Sequence, residues 1–355
     1  MDYIEINGYK SIKNVHLELS SINILIGANG SGKSNFISFF DFLNRLYNRK
    51  LNEYIALTGG DNKVLHKGKK TTNSISFKME FANGQNGYAA KLQSGTDGFV
   101  FLWEDLIYRG SPRNISRSGT EALLKTSDNY RAPYVQGYLS GLRKYHFHDT
   151  STNSPFSQYS HIENDIYFFY ENGMNIAAFM FHIAENHKIV YNRIVKNIQS
   201  IAPYFSDFYL AVNKEKNIRL QWTDKYSEII YGASDLSDGT LRYIALSILF
   251  LQPNLPDTII IDEPELGLHP TAIAKLAGMI KSVSDRNCQV ILATQSTDLI
   301  SHFLPEDIIT VDQVNGESIF HRLESSNLEE WLEDYTIDDL WKRNIITGGH
   351  PNYNL

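Results

Sequence analysis

Three glycines, a lysine and a serine within eight residues set the chemistry that this chain can do. In Gly27-Ala28-Asn29-Gly30-Ser31-Gly32-Lys33-Ser34, two glycines separated by four residues are followed directly by Lys-Ser, which is the full pattern of a phosphate-binding loop. Glycine lets the backbone curl tightly, and the N-terminus of a following helix adds aligned N–H groups and the positive end of its dipole. Such a loop surrounds nucleotide phosphates. The candidate contacts are Gly27, Asn29, Gly30, Ser31, Gly32, Lys33, Ser34 and Asn35. Lys33 is placed to reach the β- and γ-phosphates, and the Ser34 hydroxyl to hold Mg2+.

A second constellation complements the first. Thr258-Ile259-Ile260-Ile261-Asp262-Glu263 is an apolar run ending in two adjacent carboxylates, as expected of a buried parallel strand that delivers side chains to a ligand at its C-terminal end. Asp262 suits the Mg2+ ion, and Glu263 suits a general base that polarises a water attacking the γ-phosphate. Gln289-Val290-Ile291-Leu292-Ala293-Thr294 is a similar apolar run ending in Gln295-Ser296. Gln295 is then a candidate sensor of the γ-phosphate at the same sheet edge.

These residues need a scaffold, and the patterning supplies one. Asn23 to Ile26 reads as a strand before the glycine-rich loop, and Asn35 to Leu46 as the helix after it. Two strands precede the loop, and alternating segments at 74–81, 88–92 and 99–103 predict an antiparallel meander, followed by a polar, turn-rich stretch at 111–118. A short helix is expected over 132–142, a helical hairpin over 175–187 and 189–205, and strands at 208–212, 218–222 and 228–231. Helices at 241–251 and 270–283, the second opened by Pro270, complete the alternation of a parallel α/β sheet.

With 355 residues, 42% of them hydrophobic, the chain can bury a large core. No apolar run is long enough to span a bilayer and the N-terminus does not read as a signal peptide, so the cytoplasm and no membrane partner are expected. The single cysteine, Cys288, excludes a disulfide framework and reads as structural. A net charge of −7 argues against a surface that is basic all over, leaving two local patches, Lys63, Lys67, Lys69 and Lys70, and Arg109, Arg113 and Arg117, that read either as solvated runs or as sites for a phosphate backbone. In Tyr145-His146-Phe147-His148-Asp149 the two histidines share one face of an alternating segment, but no third ligand group stands at zinc-site spacing.

Taken together, these motifs resemble those of the ABC-type ATPases, within the RecF-like and SMC-like branch. Leu236-Ser237-Asp238-Gly239-Thr240 is similar to the family signature, Asp262 to Pro270 to its Walker B motif and following loop, and Ala293-Thr294-Gln295-Ser296 to its switch strand. The resemblance implies an α/β ATPase head with a P-loop parallel sheet core, an antiparallel β lobe and a short helical insertion. It implies ATP and Mg2+ as cofactors, with Glu263 and Gln295 catalytic and Ser34 and Asp262 on the metal. Ser237, Asp238 and Gly239 would contact the ATP held by a second copy of the chain, giving an ATP-sandwich homodimer. The expected division is an N-terminal ATPase lobe at 1–150, an insertion at 151–232, a C-terminal lobe at 233–322 and a tail at 323–355, which includes the recurrent string Glu329 to Tyr335.

Glutamine stands at 295 where many ABC ATPases have histidine, though this branch often shows glutamine, and that departure argues for slow hydrolysis. The resemblance places 145–150 where the family has its Q-loop, which leaves two readings: His148 or Asp149 near the metal or the attacking water, or a polar junction between lobes. Two roles follow: direct work on DNA in repair, genome maintenance or anti-phage defence, or regulation of a separately encoded effector such as a nuclease or toxin.

Overall fold

The computed structural model describes residues 1–96, 98–332, 334–343 and 345–346. Glu333 in the terminal string, Asn344 and the end of the tail from 347 lie outside them. The chain forms two compact units, Met1–Arg143 with Gln289–Leu355, and Lys144–Cys288.

The first segment contains β1 (Tyr3–Tyr9), β2 (Ile12–Glu18), β3 (Ile22–Ile26), α1 (Lys33–Tyr47), α2 (Leu51–Leu57), α3 (Asp61–Val64), β4 (Ser74–Phe81), β5 (Asn86–Ser94), β6 (Phe99–Tyr108), β7 (Ser111–Ser116) and α4 (Ala132–Ser140). Six of the strands form an antiparallel sheet in the order β2-β1-β4-β5-β6-β7. The meander expected from alternation is its centre, because Ile75, Phe77, Met79 and Phe81 of β4 all point to the buried face. The turn-rich stretch at 111–118 is instead largely the strand β7, paired with β6 from Tyr108↔Ser111 onward. As the outermost strand in the order it tolerates Pro112 and polar side chains, which hid it from pattern reading. Helix α1 packs an aromatic row on this lobe, with the Phe39 ring 5.2 Å from Tyr9 and 5.6 Å from Phe77.

The second unit is entered along β8 (Leu142–Tyr145) and continues through β9 (Ser160–His161), α5 (Ile176–Asn186), α6 (Lys188–Gln199), β10 (Phe205–Phe208), β11 (Asn217–Ile218), β12 (Gln221–Asp224), β13 (Ile230–Gly232), α7 (Asp238–Leu251), β14 (Thr258–Asp262) and α8 (Pro270–Ser284). The helical hairpin breaks at His187, as its pattern predicts, but α6 stops at Gln199, so that Phe205 enters β10. There Phe205 stacks on Trp222 at 5.7 Å and Trp222 on Tyr231 at 4.8 Å. This aromatic column moves two expected strands, with 208–212 replaced by β10 and 218–222 by β12. Helix α7 is buried along Tyr243 to Phe250, as an interior helix with apolar residues on all sides must be.

The chain then returns to the first unit as β15 (Gln289–Thr294), α9 (Thr297–Ile300), β16 (Ile308–Val314), β17 (Glu317–Arg322), α10 (Ser325–Leu332) and α11 (Ile337–Lys342). The fully buried β3 lies between β15 and β16, parallel to both, and β17 pairs antiparallel with β16. Such continuous burial explains why β3 and β15 are apolar without alternation. Ile26 pairs with Thr294, so Gly27 and Gln295 leave the sheet from neighbouring strands at the same end.

Candidate nucleotide site

In the first unit the glycine-rich loop joins β3 to α1 as its spacing requires. Gly32, with φ 113°, is the N-cap of α1, and no described side chain caps the helix. Its first-turn N–H groups are therefore not claimed by a capping side chain, the condition for anion binding. Lys33 is buried and donates from Nζ to Gly27 O at 2.6 Å and Ala28 O at 3.0 Å, folding over its own loop. Ser34 and Asn29 are exposed, and Gly30, with φ 80°, has open space where a Cβ would stand.

Two of the glycines are demanded by sterics. A Cβ on Gly27 would lie 2.2 Å from Val311 O, and one on Gly32 would lie 1.9 Å from Ser318 Oγ. Ser318 donates to Ser31 O at 2.7 Å and lies 2.6 Å from Ser11 Oγ, which also accepts from Asn35 Nδ2 at 2.7 Å. A serine of the β1–β2 turn and a serine of β17 thus brace the loop from behind. Sequence reading missed both, since nothing local marks them. The Ser31 hydroxyl is buried with no hydrogen-bond partner among the described residues, a cost that a polar ligand in the loop would remove. The cradle and this orphaned oxygen both fit a nucleotide phosphate.

In the second unit, β14 is buried from Thr258 to Ile261, ends at the half-buried Asp262 and is followed by the half-buried Glu263. Glu263 has φ 44°, a left-handed conformation rare for a side chain of its length. The turn continues through Leu266 N to Glu263 O at 3.2 Å and Leu268 N to Glu265 O at 2.9 Å. A cavity of about 10 Å³, room for one water, is lined by Phe147, His148, Arg242, Leu246, Ile261, Asp262, Glu263 and Pro264. His148 therefore shares a cavity with both carboxylates. Asp149 instead accepts from the Ser151 N–H at 3.0 Å and hydroxyl at 2.7 Å, bonds that hold its carboxyl below the usual range. Strand β8 ends at Tyr145, yet the expected alternation persists, with Tyr145 and Phe147 buried and His146 and His148 exposed.

Ser237 caps α7, its hydroxyl accepting from Thr240 N at 3.3 Å, and both Ser237 and Asp238 face solvent. Gly239 is required by packing, because a Cβ there would lie 2.4 Å from Gly267 O. The lysine patch is less free than its composition suggests. Lys69 pairs with Asp61 at 2.8 Å, and Lys67 and Lys13 both reach Glu317. No group of three or more His, Cys, Asp or Glu side chains that could hold a metal occurs among the described residues. No helix among them is long and apolar enough to cross a membrane.

This fold is that of an SMC-type ATPase head. The chain superposes with a TM-score of 0.60 on an SMC head bound to the C-terminal winged-helix domain of ScpA, at 16% identity, over 92% of this chain and 98% of that one. A Pyrococcus furiosus SMC head with an extended coiled coil, bound to the C-terminal domain of ScpA, gives 0.59 at 15% identity, over 94% and 98%. The chain matches no curated protein. Residues 22–301 match the family described as "AAA domain, putative AbiEii toxin, Type IV TA system". The chain belongs to that family, and its fold is shared with the SMC heads.

Proposed function

We propose that the protein binds and slowly hydrolyses ATP, and that ATP closes two copies of the chain into a homodimeric switch. The observation that carries this reading is the P-loop itself, a sterically fixed cradle with a helix start and a buried Ser31 hydroxyl that no described side chain caps or partners, in a chain of ATPase family. Lys33 would exchange the Gly27 and Ala28 carbonyls for β- and γ-phosphate oxygens. The backbone of Gly27 to Gly32 would orient the phosphates, with Asn29 and Asn35 at the rim. Ser34 and Asp262 would hold Mg2+, which supplies charge neutralisation on the phosphates. Glu263 would take the proton of the attacking water, and Gln295 would hydrogen-bond it or the γ-phosphate.

Ser237, Asp238 and Gly239 of a second copy complete the site in this reading. A γ-phosphate recognised by both copies favours the closed dimer, and its loss on hydrolysis removes that differential affinity. Replacing Glu263 with Gln removes the base and leaves the cradle intact. The expected result is an ATP-dependent dimer that persists in size-exclusion chromatography with light scattering. A Glu263→Gln protein that turns ATP over at the parent rate would sink the assignment.

The switch has two readings at the level of its task. It acts on DNA in repair, genome maintenance or defence, or it controls a separate effector protein such as a nuclease or toxin without touching DNA. The second is favoured by the pairing of Lys67 and Lys69 with carboxylates, by the toxin–antitoxin wording of the family description and by a partner protein seated on both similar SMC heads. DNA binding with and without ATP, measured across salt, separates the readings, because phosphate contacts weaken steeply as salt rises.

A further inference from the structure

Arg242 lies five residues after Ser237 on α7 and is spent entirely on backbone carbonyls. Its Nε donates to Phe147 O at 3.2 Å, Nη2 to His148 O at 2.9 Å and Nη1 to Leu266 O at 2.8 Å. One planar guanidinium therefore joins three segments, the signature helix, the histidine segment after β8 and the turn that starts at Glu263. A lysine has no such fork. Arg242 also lines the water-sized cavity with His148, Asp262 and Glu263. The same turn is held a second time, where Gly239 meets Gly267 O and Gly267 takes a left-handed φ of 77° beside Arg242 Nη1.

We infer that Arg242 is a positioning residue for Glu263. It fixes the turn that carries the base to the helix that carries Ser237 and Gly239, and it sets the walls between which a water meets the carboxylate. Glu263 is held in a left-handed conformation, and such a conformation persists only where its surroundings over-determine it. The guanidinium supplies part of that constraint. It also gives the signature helix a direct mechanical connection to the base of its own subunit, so displacement of α7 must displace Leu266. The inference rests on the reading of Glu263 as the ATPase base.

The test is turnover by Arg242→Gln and Arg242→Lys, alone and combined with Glu263→Gln, alongside thermal unfolding of each. If Arg242 acts through Glu263, both single variants lose at least about tenfold in kcat while KM for ATP stays within about twofold, because the P-loop is untouched. In the Glu263→Gln background, followed by single-turnover release of radiolabelled phosphate, loss of Arg242 then has no further effect. A purely structural role predicts a lower unfolding temperature and losses that multiply in the double variant. Parent-like kcat in both single variants, or multiplying losses, overturns the inference while leaving the ATPase reading standing. A parent protein without turnover overturns both. If Arg242→Gln does not fold, Arg242→Lys, which keeps the charge and the stem, carries the same comparison.

Discussion

Gly32 and Ser318 are separated by nearly the whole chain, yet a single methyl group on Gly32 would overlap the Ser318 hydroxyl, at 1.9 Å. Gly32 also sits at φ 113°, where a Cβ costs about 1–2 kcal/mol. Gly32→Ala is therefore expected to lose more than about 2 kcal/mol and to abolish nucleotide binding, since Ser318 must release Ser31 O. Ser318→Ala, which removes the same bond without crowding the loop, is expected to cost about 1 kcal/mol and to weaken binding without abolishing it. Thermal unfolding and titration with a fluorescent ATP analogue read both. A Gly32→Ala protein as stable as the parent would refute the steric argument.

Glu263 combines a candidate chemical role with an unfavourable backbone at φ 44°. Comparing two replacements cancels the loss of its side chain. Glycine adopts this conformation freely and valine resists it. Glu263→Gly is expected to be more stable than Glu263→Val by about 1–2 kcal/mol, with neither variant turning over ATP. Equal unfolding midpoints in urea would show that the turn relaxes when the side chain goes.

Glu104 is fully buried in the antiparallel lobe, accepting from Tyr88 Oη at 2.8 Å, Leu123 N at 2.9 Å and Leu124 N at 3.0 Å. Burial outweighs these donors and raises its pKa above the ordinary 4.5. The folded protein then holds this proton more tightly than the unfolded chain. Its stabilising contribution is greatest below about pH 4.5 and declines as pH rises through the raised value. Glu104→Gln cannot ionise, so the parent should lose stability relative to this variant between pH 4 and pH 7. Urea midpoints at both pH values check the sign, and a difference independent of pH would place no ionisation at Glu104.

Cys288 is buried, and burial pushes its thiol up to about 12. A thiol so placed has almost no thiolate at pH 8 and is shielded from reagents. Maleimide labelling of the native protein should proceed no faster than unfolding exposes the residue, and go to completion at once in denaturant. Rapid native labelling would show that α8 and the segment after it open locally.

How much of this was legible beforehand depends on sequence distance. The strand–loop–helix from Ile22 to Tyr47 and the strand Thr258–Asp262 announce themselves because their signals are contiguous, and they were enough to indicate the ATPase head fold. Strand β7 was not legible, since an edge strand need not alternate. The shift of β10 to Phe205 was decided by stacking on Trp222, a contact no local window contains. Ser11, Ser318 and Arg242 were missed for a related reason. Their work is to hold backbone carbonyls or other serines of distant segments, which leaves no motif in the sequence around them.

The pairing of β3 with β15 has a consequence for how the protein is made. Leu25 meets Ala293, so roughly 270 residues must leave the ribosome before the strand that carries the P-loop gains this neighbour, and still more before β16 and Ser318 arrive. At about 5–20 residues per second this is a delay of some tens of seconds. During that interval the first half of the chain has its antiparallel sheet to fold but not a braced phosphate loop. A braced phosphate loop is thus something the nascent chain acquires only after Ser318 has been made, long after the loop itself.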